Sequence, residues 1–183
     1  MHRRLLVSLL EAYDPFDDDD DEARGRILSF VLANTDCFER SLLAGHVTGS
    51  AWILDPSRSR CLLTHHRKLE RWLQLGGHAD GQTDILEVAM REGREESGLT
   101  SLRPVAASIF DCDVHSIPAR RAEPGHWHYD VRFLLEADDA EPLVVSVESK
   151  ELAWIALGEV AALGGDASVM RMVAKTAHVS RRI

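Results

Sequence analysis

The sequence predicts a mixed α/β fold of the α+β type, or an α/β sandwich with a mixed β-sheet, preceded by a short helical segment. Segments with helical and strand-like patterns follow one another without a regular βαβ alternation and without an internal repeat. The chain has 183 residues, of which 45% are hydrophobic. This size and composition are sufficient for one domain with a real core and an added segment.

The N-terminal part is predicted to be helical. A first helix spans Leu5–Ala12 and ends before Asp14-Pro15, because the residue before a proline avoids helical geometry. A second helix spans Asp20–Ala33 and has an apolar face. We therefore divide the chain into a helical segment, residues 1–43, which packs on the core, and a main domain, residues 44–183.

The main domain is predicted to alternate between strands and helices in an irregular order. The predicted strands are Gly45–Leu54, Arg60–His65, Trp72–Leu75, Pro104–Val114, Trp127–Glu136 and Glu151–Ala156. The predicted helices are Asp84–Ser97, Leu157–Leu163 and Ala167–His178. The connection Asp113–Gly125 is long for a compact domain, and we expect it to act as a substrate lid.

Charge and cysteine content limit the classes of partner and the location. The net charge of -9 argues against binding of a nucleic-acid polymer, which requires a basic surface. The acidic run at residues 17–22 is interpreted as a solvated turn at the positive end of the second helix. The apolar run Leu5–Leu10 is too short to span a membrane. The three cysteines are widely spaced, so we expect a reducing, cytoplasmic location and no disulfides.

The helix predicted at Asp84–Ser97 carries the clearest functional signal. Glu92, Glu95 and Glu96 have i, i+3, i+4 spacing and therefore share one helix face. Such a carboxylate cluster repels itself unless a cation lies within it, and a divalent metal is the simplest cation. A surface helix rich in glutamate is the alternative explanation. The helix is preceded by the double glycine Gly76-Gly77 and followed by Gly98, and this context favours a functional site over a glutamate-rich surface helix.

These residues resemble the Nudix box, whose pattern is G-x5-E-x7-R-E-U-x-E-E-x-G-U, where U is bulky and apolar. The matching positions are Gly77, Arg91-Glu92, Glu95-Glu96 and Gly98-Leu99. Two positions depart from the pattern: Thr83 replaces the first glutamate and Gly93 replaces an apolar residue. The resemblance to the Nudix hydrolase superfamily implies an α/β/α sandwich with a mixed β-sheet over the main domain.

The resemblance also implies an activity. Nudix enzymes hydrolyse a diphosphate linkage, mostly in a nucleoside diphosphate joined to another group. By analogy, Glu92, Glu95 and Glu96 hold Mg2+, with Mn2+ as a substitute, and water attacks phosphorus. Glu92 or Glu96 is the candidate proton acceptor, and Arg91 orients a carboxylate. We further hypothesise that Glu87 replaces the missing glutamate by pairing with Arg91 at i, i+4.

Other residues are assigned to substrate binding. The candidates are Gly77, His78, Arg120, His126 and His128. His126, His128 and Asp130 alternate along a predicted strand and share a face, which leaves three alternatives: a second metal site, the lining of the substrate cleft, or a hydrogen-bonded polar strand face. The expected partner is a small diphosphate compound whose identity the sequence does not give.

Two other functions stay open. An isopentenyl-diphosphate-isomerase-like enzyme shares the fold but requires a cysteine in the cleft, and none of Cys37, Cys61 and Cys112 lies at the entry to the box. A non-catalytic ligand-sensing module is the second alternative, and the intact R-E-x-x-E-E pattern argues against it. The sequence leaves open whether the protein is a monomer or a homodimer.

Overall fold

The computed structural model describes residues 2–119, 124–147 and 149–179. Four α-helices lie in these residues: α1 Arg4–Ala12, α2 Asp18–Ala33, α3 Ile85–Ser97 and α4 Ala167–Val179. A 3-10 helix spans Leu157–Leu163. The strands are β1 Gly45–Leu54, β2 Arg60–His66, β3 Arg71–Leu73, β4 Leu75–His78, β5 Arg103–Pro104, β6 Asp111–Ile117, β7 His126–Glu136 and β8 Ser149–Ala156.

The eight described strands belong to one sheet, in which five neighbouring strands follow the order β3-β2-β1-β7-β5. Three further strands pair outside this path: β4 with β1, β6 with β7, and β8 with β2. Along the chain, α1 and α2 precede the strands, α3 lies between β4 and β5, and α4 follows β8. The fold class predicted from the sequence, a mixed sheet with helices, is therefore confirmed.

The chain divides into two compact units. The first unit comprises the described part of residues 1–50, 77–89 and 107–133, and the second comprises the described part of 51–76, 90–106 and 134–183. Both units draw on β1, α3 and β7. Within the described residues, no helix is long and apolar enough to cross a membrane.

In the first unit, a buried aspartate links the N-terminal helices to β6. The Asp20 side chain is fully buried and accepts the backbone N–H of Cys112 at 3.0 Å and the Tyr13 hydroxyl at 2.6 Å. Asp20 belongs to the acidic run, so the solvated interpretation of this run is wrong at that residue. Asp17 instead caps α2, because its carboxylate accepts the Asp20 N–H at 2.9 Å.

In the second unit, the antiparallel pair β2–β8 forms the longest ladder, from Arg60 opposite Ala156 to His66 opposite Ser149. Trp52 is fully buried, and its indole N–H donates to Thr176 Oγ1 on α4 at 2.9 Å. A buried indole requires such an acceptor, and the bond therefore fixes α4 on this unit.

The predicted elements differ from the structure mainly between α3 and β7. The predicted strand Pro104–Val114 is divided into the short β5 and a β6 that runs on to Ile117. The predicted connection Asp113–Gly125 is consequently shorter, because Asp113–Ile117 pairs residue by residue with β7. Polar side chains on both strands face each other across this hairpin, and this cross-strand pairing stabilises residues that look loop-like in isolation.

Candidate functional site

The helix α3 is built by signals that the sequence contains. Asp84 precedes it and accepts the Glu87 N–H at 3.4 Å, and Gly98 follows it with a φ of 75°. This left-handed conformation suits glycine and ends the helix after Ser97. The buried side of α3 comprises Ile85, Val88, Ala89, Met90 and Gly93, whereas Leu86 is half-buried.

We call the carboxylates of Glu92, Glu95 and Glu96 the acidic face of α3. Arg91 lies beside it, with Nη1 at 2.7 Å from Glu92 Oε1 and 3.4 Å from Glu95 Oε2. The Glu92 side chain is 14% exposed, and the Glu95 side chain is 61% exposed. Within the described residues, Glu87 forms no ion pair with Arg91, so the hypothesis that Glu87 replaces the missing glutamate lacks the expected contact.

Glu96 is fixed differently from Glu95. Its Oε2 accepts the backbone N–H of Gly76 at 3.2 Å, which connects the C-terminal half of α3 to β4. Glycine at this position lets the main chain approach the carboxylate closely. Gly93 of α3 also packs closely, because a Cβ there would lie 2.8 Å from Leu102 Cδ2.

The acidic face fits a divalent cation in donor type and charge. Its donors are all carboxylate oxygens, the ligands that hard cations such as Mg2+ prefer. The Arg91 guanidinium pairs with Glu92 and Glu95 of this face. The three glutamates do not form a preassembled set of ligand atoms within 4.8 Å of one another among the described residues. Binding of a cation therefore requires side-chain rotation, most of all by exposed Glu95.

A second group of polar side chains lies in the first unit, and we call it the histidine cluster: His46 on β1, His78 at the end of β4 and His128 on β7. One ring nitrogen of each lies within 4.8 Å of those of the other two. The ring centroids are 4.9 Å apart for His46 and His78, and 5.0 Å apart for the other two pairs. His46 is 3% exposed. It gave no signal in the sequence, because only the sheet brings it to the other two.

His126 lies next to the histidine cluster and orients one member. Its Nδ1 donates to the Pro124 carbonyl oxygen at 3.0 Å, since that oxygen only accepts. Its Nε2 lies 3.2 Å from His128 Nε2, which is hydrogen-bond distance. These contacts with Pro124 and between the two rings fix the orientations of the His126 and His128 rings.

Two members of the histidine cluster, His78 and His128, are held in their neutral form. Burial, and secondly the charge of Arg40, lower the pKa of His78 to about 4. Burial and the neighbouring histidines lower the pKa of His128 to about 2. Both imidazoles are therefore uncharged at neutral pH and offer a lone pair.

Asp130, predicted to share a face with His126 and His128, belongs to a separate buried network. Its carboxylate accepts the Thr48 hydroxyl at 2.9 Å, the Ser50 hydroxyl at 2.8 Å and Arg132 Nε at 2.8 Å. Three strong donors occupy this carboxylate. Asp130 therefore holds β1 and β7 together in the first unit.

Arg132 is a residue that the sequence analysis missed. Its side chain is 2% exposed and also contacts Asp111 and Asp113, each at 3.1 Å. Burial alone would lower the pKa of Arg132, but the three carboxylates around it raise the pKa, so the guanidinium stays charged. The available signal was the alternation of charged residues in two strands, with Asp111 opposite Arg132 and Asp113 opposite Asp130.

The remaining predicted residues are placed as follows. Gly77 lies in β4, directly before His78. Arg120 and its neighbour Arg121 lie outside the described residues. Cys37, Cys61 and Cys112 are all buried. Burial raises the pKa of the Cys37 thiol to about 11 and that of the Cys61 thiol to about 12, so neither is a thiolate at neutral pH.

Comparison with known protein families identifies the class. A model of the NUDIX domain matches residues 45–175. Because this segment is more than half of the 183 residues, the chain belongs to the NUDIX domain family. The resemblance of the segment Gly77–Leu99 to the Nudix box is thereby confirmed.

Two curated relatives come from Mycobacterium tuberculosis, strains CDC 1551 / Oshkosh and ATCC 25618 / H37Rv, and each is described as "Putative 8-oxo-dGTP diphosphatase 3". Each is 31% identical to the chain over 114 residues, which are 59% of this chain and 50% of the relative. The chain thus spans about half the length of the curated relatives it matches.

Solved structures share the fold. A C. elegans Ap4A hydrolase in a binary complex has a TM-score of 0.56 at 15% identity, covering 75% of this chain and 98% of that chain. A Nudix hydrolase from M. smegmatis, RenU, has a TM-score of 0.56 at 19% identity, covering 76% of this chain and 88% of that chain. At these identities the likeness concerns the fold alone.

Proposed function

We propose that the protein is a Mg2+-dependent pyrophosphohydrolase. It cleaves a diphosphate linkage in a small molecule of the nucleoside diphosphate-X type or a related compound, by attack of water on phosphorus. The observation that carries this proposal is the acidic face of α3, with Arg91 paired to Glu92 and Glu96 bonded to the Gly76 backbone, in a chain of the NUDIX family.

The carboxylates of Glu92, Glu95 and Glu96 would hold Mg2+, with Mn2+ as a substitute. When bound, the cation supplies charge neutralisation for the diphosphate and activates a water molecule. Glu92 or Glu96 would accept a proton from the attacking water, because both side chains are held in place while Glu95 is exposed. Arg91 is a positioning residue, since its guanidinium contacts carboxylates of the same helix.

On the substrate side, we propose contacts from Gly77 through its main chain and from Arg120. For His78, His126 and His128 the sequence left open substrate contact or a second metal site. Neutral imidazoles attract phosphate weakly, because they contribute hydrogen bonds and no positive charge. Direct substrate contact by these histidines is therefore the second candidate for their role.

The alternative functions have less support. The isomerase-like alternative requires a reactive thiol, and the cysteines of this chain are buried, two of them with raised pKa values. The non-catalytic sensing module is disfavoured because the acidic face is complete. A location in the cytoplasm is consistent with three free cysteines and remains part of the proposal.

A screen of diphosphate compounds with Mg2+ and with Mn2+ tests the function. We expect metal-dependent release of phosphate products and incorporation of one solvent oxygen at phosphorus, which an isomerase does not produce. The Glu92→Gln and Glu96→Gln variants should be inactive. Binding of diphosphates without turnover would instead favour the sensing module.

A further inference from the structure

The histidine cluster lies outside the carboxylate chemistry of the proposed function. We infer that His46, His78 and His128 bind one transition-metal ion of the class that prefers imidazole ligands, with Zn2+ as its representative. This inference does not rest on the proposed hydrolysis, because the cluster and the acidic face have no residue in common.

The distances support a single ion. A ring nitrogen of each histidine lies within 4.8 Å of the other two. Zn–N bonds of about 2.0–2.1 Å in a tetrahedral site place the nitrogens roughly 3.3–3.4 Å apart. Rotation of the side chains is sufficient to close this difference, because the three rings already pack against one another at centroid distances of 4.9–5.0 Å.

The three ligands come from separate strands of the first unit. His46 lies in β1, His78 at the end of β4 and His128 in β7. Sites with three protein ligands leave one coordination position for water or another small ligand. The proposed site has this composition.

The donor chemistry selects the metal. Imidazole nitrogen suits Zn2+ and neighbouring transition ions, whereas Mg2+ prefers oxygen. Asp130, the carboxylate nearest in sequence to His128, is occupied by Thr48, Ser50 and Arg132. His115 Nδ1 lies 2.8 Å from Asp113 Oδ2, so this histidine is already engaged by a carboxylate. The cluster therefore offers nitrogen ligands, and the acidic face offers oxygen ligands.

His126 is a positioning residue for this site. Its Nε2 lies 3.2 Å from His128 Nε2, and its Nδ1 donates to the Pro124 carbonyl oxygen. Hydrogen bonds of this kind orient a ligating imidazole, and their loss typically weakens metal binding about 10- to 100-fold.

The test is a calorimetric titration of the full-length, chelator-treated protein with Zn2+ alone. We expect one equivalent to bind and excess Mg2+ not to compete. His78→Phe and His128→Phe keep an aromatic ring but remove a ligand, so their Zn2+ affinity should fall more than about 100-fold, beyond the loss for a positioning residue. His126→Phe should weaken binding about 10- to 100-fold.

The matched control is His65→Phe, because His65 is a half-buried strand histidine beside an aromatic ring, that of Trp72, in the second unit. This variant should bind Zn2+ like the wild type. The Glu92→Gln variant should also keep its Zn2+ affinity, so failure of the hydrolase proposal and failure of the metal proposal are distinguishable.

A measurement on the unmodified protein covers the case of a variant that fails to fold. In nuclear magnetic resonance spectra of the histidine ring nitrogens, one equivalent of Zn2+ should shift the signals of His46, His78 and His128. Absence of Zn2+ binding, equal affinity in the His78→Phe and wild-type proteins, or shifts confined to other histidines would each overturn the inference.

Discussion

The acidic face of α3 and the histidine cluster differ in how their side chains are brought together. The acidic face comes from five consecutive residues, Glu92 to Glu96, and helical geometry alone places its carboxylates on one side. The histidine cluster comes from three strands, and only sheet pairing brings its rings within 5.0 Å. A local motif is visible in sequence, whereas an assembled cluster is visible only in the fold.

The two groups also differ in charge and in preorganisation. Carboxylates repel one another, so the acidic face rests with Arg91 as its counter-ion and with Glu95 turned to solvent. In the histidine cluster, His46 is buried, and His78 and His128 are half-buried. The lowered pKa values of His78 and His128 leave these two imidazoles uncharged at neutral pH, so they do not repel each other. Under the two proposals, the acidic face would take a cation that arrives with a diphosphate, and the histidine cluster would hold an ion that stays bound.

The largest expected effect concerns the acidic face. Glu96→Gln removes one negative charge and a candidate proton acceptor, while the amide oxygen still accepts the Gly76 N–H. We expect kcat for the diphosphate substrate to fall about 10²- to 10⁴-fold, the usual range for an acid–base group. Steady-state kinetics at saturating Mg2+ measures it. A loss smaller than tenfold would remove Glu96 from the proposed chemistry.

The next prediction compares the losses of stability caused by replacing two arginines, one buried and one more exposed. Arg132→Met leaves Asp111, Asp113 and Asp130 without their shared buried cation, and breaking such a buried pair costs about 3–5 kcal/mol. Arg91→Met breaks a more exposed pair, for which about 0–1 kcal/mol is usual. Urea unfolding of both variants tests this difference. A loss for Arg132→Met of only about 0–1 kcal/mol would show that the Arg132 network does not stabilise the first unit.

The sequence predicted one side of this comparison well, for a physical reason. The limits of α3, its glycine stop and the shared face of Glu92, Glu95 and Glu96 all follow from geometry within a few residues. The partners of Arg91 were not predicted, because among the described residues Arg91 contacts Glu92 and Glu95 and not Glu87. The same holds for the fold class, which depends on local apolar patterns. Gly93 departs from the family pattern, but its contact with Leu102 could not be inferred, since this contact depends on packing across the second unit.

The other side could not be predicted, because its contacts join distant residues. The strand of His46, β1, contains no other histidine, cysteine or carboxylate that would mark His46 as a metal ligand. His115 and Asp113 look like part of a proline-containing loop until they are paired with His128 and Asp130. Strand alternation suggested that Asp130 lies with the histidines, but it did not reveal the competing donors of β1 that occupy it.

A smaller effect, on stability, is expected for a substitution of Gly93 in α3. Gly93→Ala places a Cβ at 2.8 Å from the Cδ2 of buried Leu102. Overpacking typically costs about 1–3 kcal/mol, and about 1 kcal/mol is recovered from helix propensity. We therefore expect a net loss of about 1 kcal/mol in urea unfolding. In a double-mutant cycle with Leu102→Ala, the loss from Gly93→Ala should disappear. Simple additivity would show that the two residues do not compete for space.

The smallest expected effect concerns Glu87, which the sequence suggested as a brace for Arg91. In the structure Glu87 is exposed, and Arg91 contacts Glu92 and Glu95 instead. An i, i+4 pair on a helix surface contributes only about 0.2–0.5 kcal/mol, which corresponds to roughly a twofold change in rate. Glu87→Gln should therefore keep kcat/KM within about twofold of the wild type, which makes it the same-helix control for Glu96→Gln. A tenfold loss in Glu87→Gln would show that Glu87 takes over the function of the glutamate that Thr83 replaces, and that Arg91 changes partner during turnover.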